Sequence, residues 1–254
     1  VKMKTLVVMP TYCEAENLEI MISAILGLEK NLAVLVVDDN SPDKTGEIAD
    51  RLASQNENVH VLHRTSKDGL GRAYQAAFDW ALQRDYSHIV EMDADGSHQP
   101  KDLVKLLDAS LGFDLVIGSR WVTGGAVRNW PRYRQAISRV GNAYANLILR
   151  AEIRDITAGF RVFRADFLRS LPYQRVSSHG YSFQVEMAWL ARRAGGKIRE
   201  VPIEFIEREN GRSKMSSRIV LEALILVTGW GIRRLFRPAR YNPPKTTSPD
   251  ETGL

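Results

Sequence analysis

Ile89-Val90-Glu91-Met92-Asp93-Ala94-Asp95-Gly96-Ser97-His98 decides how this chain is read. Its first half has the apolar density of a buried strand. Two carboxylates then arrive where that strand should end, followed by Gly96 and by Pro100 at the head of an amphipathic run. In an open α/β sheet, ligands sit beyond the carboxyl ends of the strands, so charges placed there face a crevice rather than a core. Two aspartates at i and i+2 on a turning backbone can reach one hard divalent cation, which takes one or two carboxylates and leaves its other positions to water and phosphates. The same residues also fit a helix start, with Asp95 or Ser97 as the N-cap, and the dipeptide spacing alone does not separate the two.

Outward from that stretch the pattern repeats. Thr5 to Met9 is a short apolar run ended by Pro10, and Leu18, Met21, Ile22, Ile25 and Leu28 then recur at helical spacing. Leu32 to Val37, Lys44 to Ser54, Val59 to Leu62 and Leu70 to Arg84 continue the alternation of strand and helix. Continuous rather than alternating apolar strands predict a mostly parallel sheet covered on both faces. Polar clusters follow three of the strands: Pro10 to Asn17, Asp38 to Asp43, and Asp93 to Asp95. Successive strand ends share one edge, so these clusters are expected to converge on one pocket. Turn and cap chemistry accounts for Asn17, Ser41, Pro42 and Asp43. It accounts poorly for Asp38 and Asp39, adjacent carboxylates that repel, and a nucleobase donor edge or a ribose hydroxyl would give one of them a partner.

Composition narrows the classes. A chain of 254 residues with 44% hydrophobic residues can bury a sizeable core. Cys13 is the single cysteine, which rules out an internal disulfide and fits a reducing compartment. The net charge of +5 is unevenly spread: Leu115 to Arg150 carries six arginines and no acid, a face suited to phosphates, headgroups or nucleic acid. Leu6 to Met9 is too short to be the core of a signal peptide, and a cytoplasmic location is expected.

Taken together, Pro10-Thr11-Tyr12-x-Glu14-x-Glu16-Asn17, Val37-Asp38-Asp39-Asn40-Ser41-Pro42-Asp43-x-Thr45, Gly69-Leu70-Gly71-x-Ala73, Met92-Asp93-Ala94-Asp95 and Gly118-Ser119-Arg120 resemble the family-2 glycosyltransferases of GT-A fold. Within these, the chain is most similar to the polyprenol-phosphate (dolichol-phosphate) mannose synthases, over roughly Lys4 to Arg234. The resemblance implies a GDP-mannose donor, a polyprenyl monophosphate acceptor, Mg²⁺ or Mn²⁺, and inversion at the sugar. It implies that Pro10, Tyr12, Glu14, Val37 and Asp39 hold the guanosine with Asp38 beside them, and that Asp93, Ala94 and Asp95 hold the metal and diphosphate. Some members carry a glutamine as a further ligand two residues after the second aspartate. Here that position is Ser97, whose hydroxyl, or a water, stands in its place.

A departing nucleoside diphosphate gathers negative charge, so a cation and arginines beside it lower the barrier. A phosphate acceptor is already an anion, and no general base is assigned. It needs cationic clamps, for which Arg120, Arg134 with Ser138 one helical turn on, Arg208 and Lys214 are the candidates. Arg128, Arg139 and Arg150 read as solvated surface charges. Asp95, Arg120 and Lys214 are the expected catalytic residues.

Beyond residue 150 the parallel pattern weakens. Asp155-Ile156-Thr157-Ala158-Gly159-Phe160-Arg161 resembles the family's Asp-x-Thr-Ser-Gly-Phe-Arg segment, with Ala158 in place of serine. Asp155 there orients an arginine, binds a sugar hydroxyl, or pairs with Arg154 or Arg161. Gly180-Tyr181-x-Phe183-Gln184-x-Glu186 opens a helix running to Arg193, and Gln184 and Glu186 are candidates to touch the sugar or order the site. Ile198 to Glu207 alternates around Pro202 as an edge strand. It leads into Arg208-Glu209-Asn210-Gly211-Arg212-Ser213-Lys214, similar to the family's Arg-x-x-Gly-x-Ser-Lys loop and expected to close over the diphosphate. Ile219 to Val227 is too short and interrupted to span a bilayer. With Trp230 and Arg233, Arg234, Arg237 and Arg240 it fits a membrane surface, or equally a packed helix.

The expected organisation is one α/β domain over 1–237, with a donor half to about 120, an acceptor half after it, and a disordered tail over 238–254. The expected partners are GDP-mannose, a polyprenyl phosphate, the cytoplasmic face of a membrane and a membrane-anchoring protein, without nucleic acid. A UDP-sugar donor or another acceptor is the alternative within the family. A non-catalytic nucleotide or nucleic-acid binder would leave Asp38, Asp39, Asp93 and Asp95 facing a polyanion.

Overall fold

In the computed structural model the described residues are 3–28, 30–176, 178, 180–207 and 217–236. The first half of the chain alternates strictly: β1 (Thr5–Thr11), α1 (Leu18–Leu26), β2 (Leu32–Asp38), α2 (Thr45–Gln55), β3 (Val59–His63), α3 (Leu70–Leu82), β4 (His88–Glu91) and α4 (Pro100–Ala109). The second half is β5 (Leu115–Ser119), β6 (Ala126–Arg128), α5 (Arg132–Leu149), β7 (Arg161–Arg164), α6 (Ala165–Ser170), α7 (Tyr181–Arg193), β8 (Ile198–Pro202), β9 (Glu204–Ile206) and α8 (Ser217–Phe236).

Seven strands form one sheet in the order β3-β2-β1-β4-β7-β5-β8, and β6 pairs with β9 in a small second sheet. β7 runs antiparallel to both β4 and β5, while the other pairings are parallel. The chain moves outward from β1 to β3 and returns to β4 on β1's other side, so the sheet has a crevice where the order reverses. Both faces are covered because alternate residues of each strand point to opposite sides. Leu6, Val8, Leu35 and Val37 pack with α3, α5 and α7, and Val7, Met9, Val34 and Val36 pack with α1 and α4.

Two boundaries differ from expectation. β1 continues through Pro10 to Thr11, because its pairing with β4 has already ended at Val8, and the amide that proline lacks would have pointed to that side. The expected edge strand Ile198 to Glu207 is two strands. Pro202 ends β8 at the sheet edge beside β5, the Ile203 amide still donates to the Ser119 carbonyl at 3.1 Å, and β9 then leaves to join β6.

Gly71 marks where the halves meet most tightly. A Cβ there would lie 2.8 Å from the Phe183 ring and 3.0 Å from the Ser178 carbonyl, so only glycine lets α3 approach the start of α7 this closely.

Candidate active site

The polar clusters that follow β1, β2 and β4 do converge. They share a cavity of about 420 Å³ with residues from β5, α5, the segment before β7, α7 and β9.

Its acidic wall is the turn after β4. Asp93 and Asp95 both line the cavity. Gly96 takes φ +76°, the Ser97 amide donates to Asp95 Oδ1 at 3.0 Å, and Gln99 Nε2 donates to the Gly96 carbonyl at 2.8 Å. Gln99, not Asp95 or Ser97, occupies the N-cap of α4, which disposes of the helix-cap reading. Ser97 lines the cavity with the two carboxylates, 2% exposed, and its Oγ has no hydrogen-bond partner among the described residues. No cluster of three histidine, cysteine or acidic side chains suited to a metal exists among the described residues. Two carboxylates and an orphaned buried hydroxyl are the donor set, and they fit a hard cation that keeps waters and substrate phosphates as its other ligands.

His98 is a site residue that sequence reasoning missed. It is buried on the cavity wall, its Nδ1 accepts the Asp93 amide at 3.0 Å, and burial lowers its basicity. Its ring stacks on Phe160 with centroids 4.8 Å apart and meets Phe205 edge-on at 5.7 Å.

Pro10, Tyr12, Glu14 and Asp39 also line the cavity, at the ends of the neighbouring strands β1 and β2. Arg64 hydrogen-bonds Asp39 Oδ1 through Nη1, and Lys67 Nζ sits 3.5 Å from the Tyr12 ring centroid. Burial raises the Asp39 carboxyl and Arg64 opposes that rise. Neither cation was anticipated, although both lie in the polar segment after β3, at the same sheet edge as the other clusters. Val37 and Asp38 are corrections. Val37 is fully buried in the core. Asp38 turns away from the cavity to accept the Ser41 hydroxyl at 2.5 Å and the Ser41 amide at 3.2 Å. Consecutive residues leaving a strand point to opposite sides, so the two carboxylates do not compete for one ligand, and Asp38 is a turn residue after all.

The cationic wall is built from the second half of the chain. Arg120 lines the cavity but is gripped bidentately by Asp155, Nε to Oδ2 at 2.8 Å and Nη2 to Oδ1 at 2.7 Å, with Thr157 Oγ1 at 2.9 Å. Of the roles open to Asp155, orienting an arginine is the one observed; it is fully buried behind Arg120 and does not itself reach the cavity. Arg134, which also lines the cavity, bonds Glu207 and lies 4.1 Å over the Trp130 ring. Ser138 is a correction: it lies off the cavity, where its carbonyl accepts Asn142 Nδ2 at 2.9 Å. Glu186 is another, accepting the Ser178 hydroxyl at 2.6 Å away from the lining. Gln184 does line the cavity, 2% exposed, with no hydrogen bond to either amide atom. Arg128 pairs with Glu204 and Arg139 lies over Trp121, both exposed as expected, as is Arg150. Arg208 and Lys214, with the rest of their loop, lie outside the described residues, as does 238–254.

Beneath the cavity floor, Arg161 is fully buried and donates to the carbonyls of Ile156, Ala158 and Gln184, each at 2.8 Å. It ties the segment that carries Asp155 and Thr157 to α7. Its Nε lies 3.9 Å from Glu91 Oε2. Gln184 lies beside Glu91 without closing a hydrogen bond, and burial, opposed by Arg161, pushes the Glu91 carboxyl up to about 7.

Comparison with known proteins places this architecture. The model described as glycosyl transferase family 2 matches residues 6–171. A polyprenol monophosphomannose synthase from Mycolicibacterium smegmatis is 50% identical over 239 residues, 93% of this chain and 90% of that protein. An undecaprenyl-phosphate mannosyltransferase from Micrococcus luteus is 51% identical over 230 residues, 91% of this chain and 95% of that protein. Among solved structures, a mannosyltransferase from Pyrobaculum calidifontis in complex with GDP-Man and Mn²⁺ is similar with a TM-score of 0.62 at 16% identity, over 96% of this chain and 66% of that one. The likeness to solved structures speaks for the fold, which is GT-A.

Proposed function

This chain belongs to glycosyl transferase family 2, in the group of the polyprenol-phosphate mannose synthases, and from that premise we propose that it transfers mannose from GDP-mannose to a polyprenyl monophosphate with inversion at the anomeric carbon. The observation that carries the reading is one cavity lined, in the order of the strand ends, by Asp39 and Tyr12 after β2 and β1, by Asp93 and Asp95 after β4, and by Arg120 after β5, with Arg134 from α5. A sugar nucleotide fits that order by chemistry: base toward Asp39 and Tyr12, diphosphate toward the carboxylates, sugar toward the arginines.

Asp93, Asp95 and Ser97 would hold Mg²⁺ or Mn²⁺. Bound there, the cation supplies positive charge against the leaving diphosphate. Arg120, held in a fixed orientation by Asp155 and Thr157, presents a preorganised charge that costs no rearrangement during reaction. Arg134 receives the acceptor phosphate when Glu207 yields it. That phosphate attacks the anomeric carbon from the face opposite the departing GDP, which inverts the centre, and as an anion it needs no base to activate it. Arg208 and Lys214 complete the diphosphate contacts in this proposal.

A peripheral place at the cytoplasmic face of a membrane goes with a lipid acceptor. Among the described residues no helix is long and apolar enough to cross a membrane. Of the eight exposed large hydrophobic side chains among the described residues, six lie on α5 and α8: Tyr133, Ile137, Val140, Leu147, Ile225 and Ile232. Trp230 is not among them; it is buried and stacks on Trp189 at 6.0 Å. The terminal helix thus packs one side on the core and leaves apolar side chains on the other. We assign the catalytic unit to 1–237, with a separate anchoring protein as a further partner.

The test is incubation with GDP-mannose or UDP-sugars, a short polyprenyl phosphate, and Mg²⁺ or Mn²⁺, followed by extraction of the lipid and identification of its sugar and anomer. Mannose in β linkage, only with GDP-mannose and a divalent ion, is expected; transfer from a UDP-sugar alone would overturn the donor assignment.

A further inference from the structure

We propose that His98 is a positioning residue for the cation site, setting the Asp93 carboxylate through that residue's own main chain. The inference rests on the reading that Asp93 and Asp95 hold a divalent ion. The turn from Asp93 to Ser97 belongs to no helix or strand, so the ladder that holds β4 does not extend to it. The Asp93 amide therefore needs a partner, and His98 Nδ1 is that partner at 3.0 Å.

An N–H donor requires a lone pair on Nδ1, which leaves the ring proton on Nε2. Nε2 lies 3.9 Å from Asp93 Oδ2. One imidazole thus addresses both the backbone and the carboxylate of the same residue, and a shift of under an ångström would close the second contact. The ring is held against rotation, with Phe160 on its face and Phe205 at its edge. Phe205 comes from β9, and the Ile206 amide of that strand donates to the Ser97 carbonyl at 3.2 Å. The acidic turn is therefore braced at both ends by the same layer. Partners that orient metal-binding carboxylates cost about 10- to 100-fold in metal affinity when removed.

The competing account is that His98 merely fills space between Phe160 and Phe205. Three variants separate the two. His98→Phe keeps the ring and loses both nitrogens; His98→Asn keeps an acceptor near the Nδ1 position; His98→Gln reaches toward Nε2 and lacks the Nδ1 acceptor. Mn²⁺ affinity is measured by calorimetry with GDP present, and exchange of the Asp93 amide by NMR in metal-free protein. For His98→Phe, Mn²⁺ binding about 10- to 100-fold weaker and faster Asp93 exchange are expected, with His98→Asn restoring most of both. Wild-type affinity in His98→Phe, beside its loss in Asp93→Ala, overturns the proposal and leaves the cation site standing. Unchanged affinity in Asp93→Ala with Asp95→Ala removes the cation site itself, and the proposal with it. Where His98→Phe does not fold, His98→Asn binding Mn²⁺ more tightly than His98→Gln supports the positioning role, and the equal or reverse order overturns it.

Discussion

The two walls of the cavity carry opposite charge and are held by opposite means. On the wall after β4 the acidic turn is fixed by partners a few residues away: Asp95 accepts the Ser97 amide, and the Asp93 amide donates to His98. On the wall from β5 onward, cations are fixed by acids far along the chain, Arg120 by Asp155 across 35 residues and Arg134 by Glu207 across 73. The first wall is local chemistry displayed at a sheet edge. The second exists only once the chain has folded. Its arginines meet an incoming anion with their charge already answered by a carboxylate, so acceptor binding there is an exchange of anions rather than the filling of an empty cationic site.

That contrast can be broken most severely at the acidic wall. Replacing Asp93 and Asp95 together by alanine is expected to lower transfer by about a thousandfold or more, since the charge opposing the leaving diphosphate goes with them. Incorporation of labelled mannose into extracted lipid measures it, and survival of more than a tenth of the activity would refute the assignment.

Asp155→Asn strikes the other wall. It leaves a guanidinium buried without its counter-charge, which costs about 3–5 kcal/mol of stability by urea denaturation, beside a fall in kcat. Arg64→Met removes the partner of Asp39 after β2 and should raise the donor KM, with a smaller loss of stability in the same urea titration.

Glu91 gives a pH signature. Its folded value of about 7 lies above its ordinary 4.5, so between those values the folded chain holds a proton the unfolded chain has lost. Its contribution to stability is full below 4.5 and is lost as the pH rises through about 7. Glu91→Gln, neutral throughout, is expected to flatten the change in unfolding free energy between pH 5 and pH 8 by about 2 to 3 kcal/mol.

The smallest effects test the anion exchange. Glu207→Gln should lower the acceptor KM by about threefold and leave the donor KM unchanged, because a partly exposed pair is worth little. Ser138→Ala should change neither, its side chain lying off the cavity.

The same contrast explains what the sequence disclosed. Strand-end punctuation located Pro10, Tyr12, Glu14, Asp39, Asp93 and Asp95, because in a parallel sheet the position along a strand fixes the position in space. It overreached at Asp38, as the family resemblance did at Val37, because alternation along the strand sends neighbours to different sides. It could have reached Arg64 and Lys67, had the segment after β3 been treated like the other three. Asp155 and Glu207 were in view as residues, but the pairings across 35 and 73 positions that define them leave no local pattern. His98 and Glu91 lay inside the deciding stretch itself; what was missing was burial, which turns an ordinary imidazole and an ordinary glutamate into parts of the site.

One consequence follows from β7. It runs back between β4, which ends at the acidic turn, and β5, which ends at Arg120, and is hydrogen-bonded to both. The strand that separates the opposing charges is also what ties them together, so the molecule has no seam along which the jaws could swing apart. The spacing between acid and arginine is cut into the sheet like the gap of a fixed gauge, and whatever adapts to substrates of different length must be the segments hung from its rim.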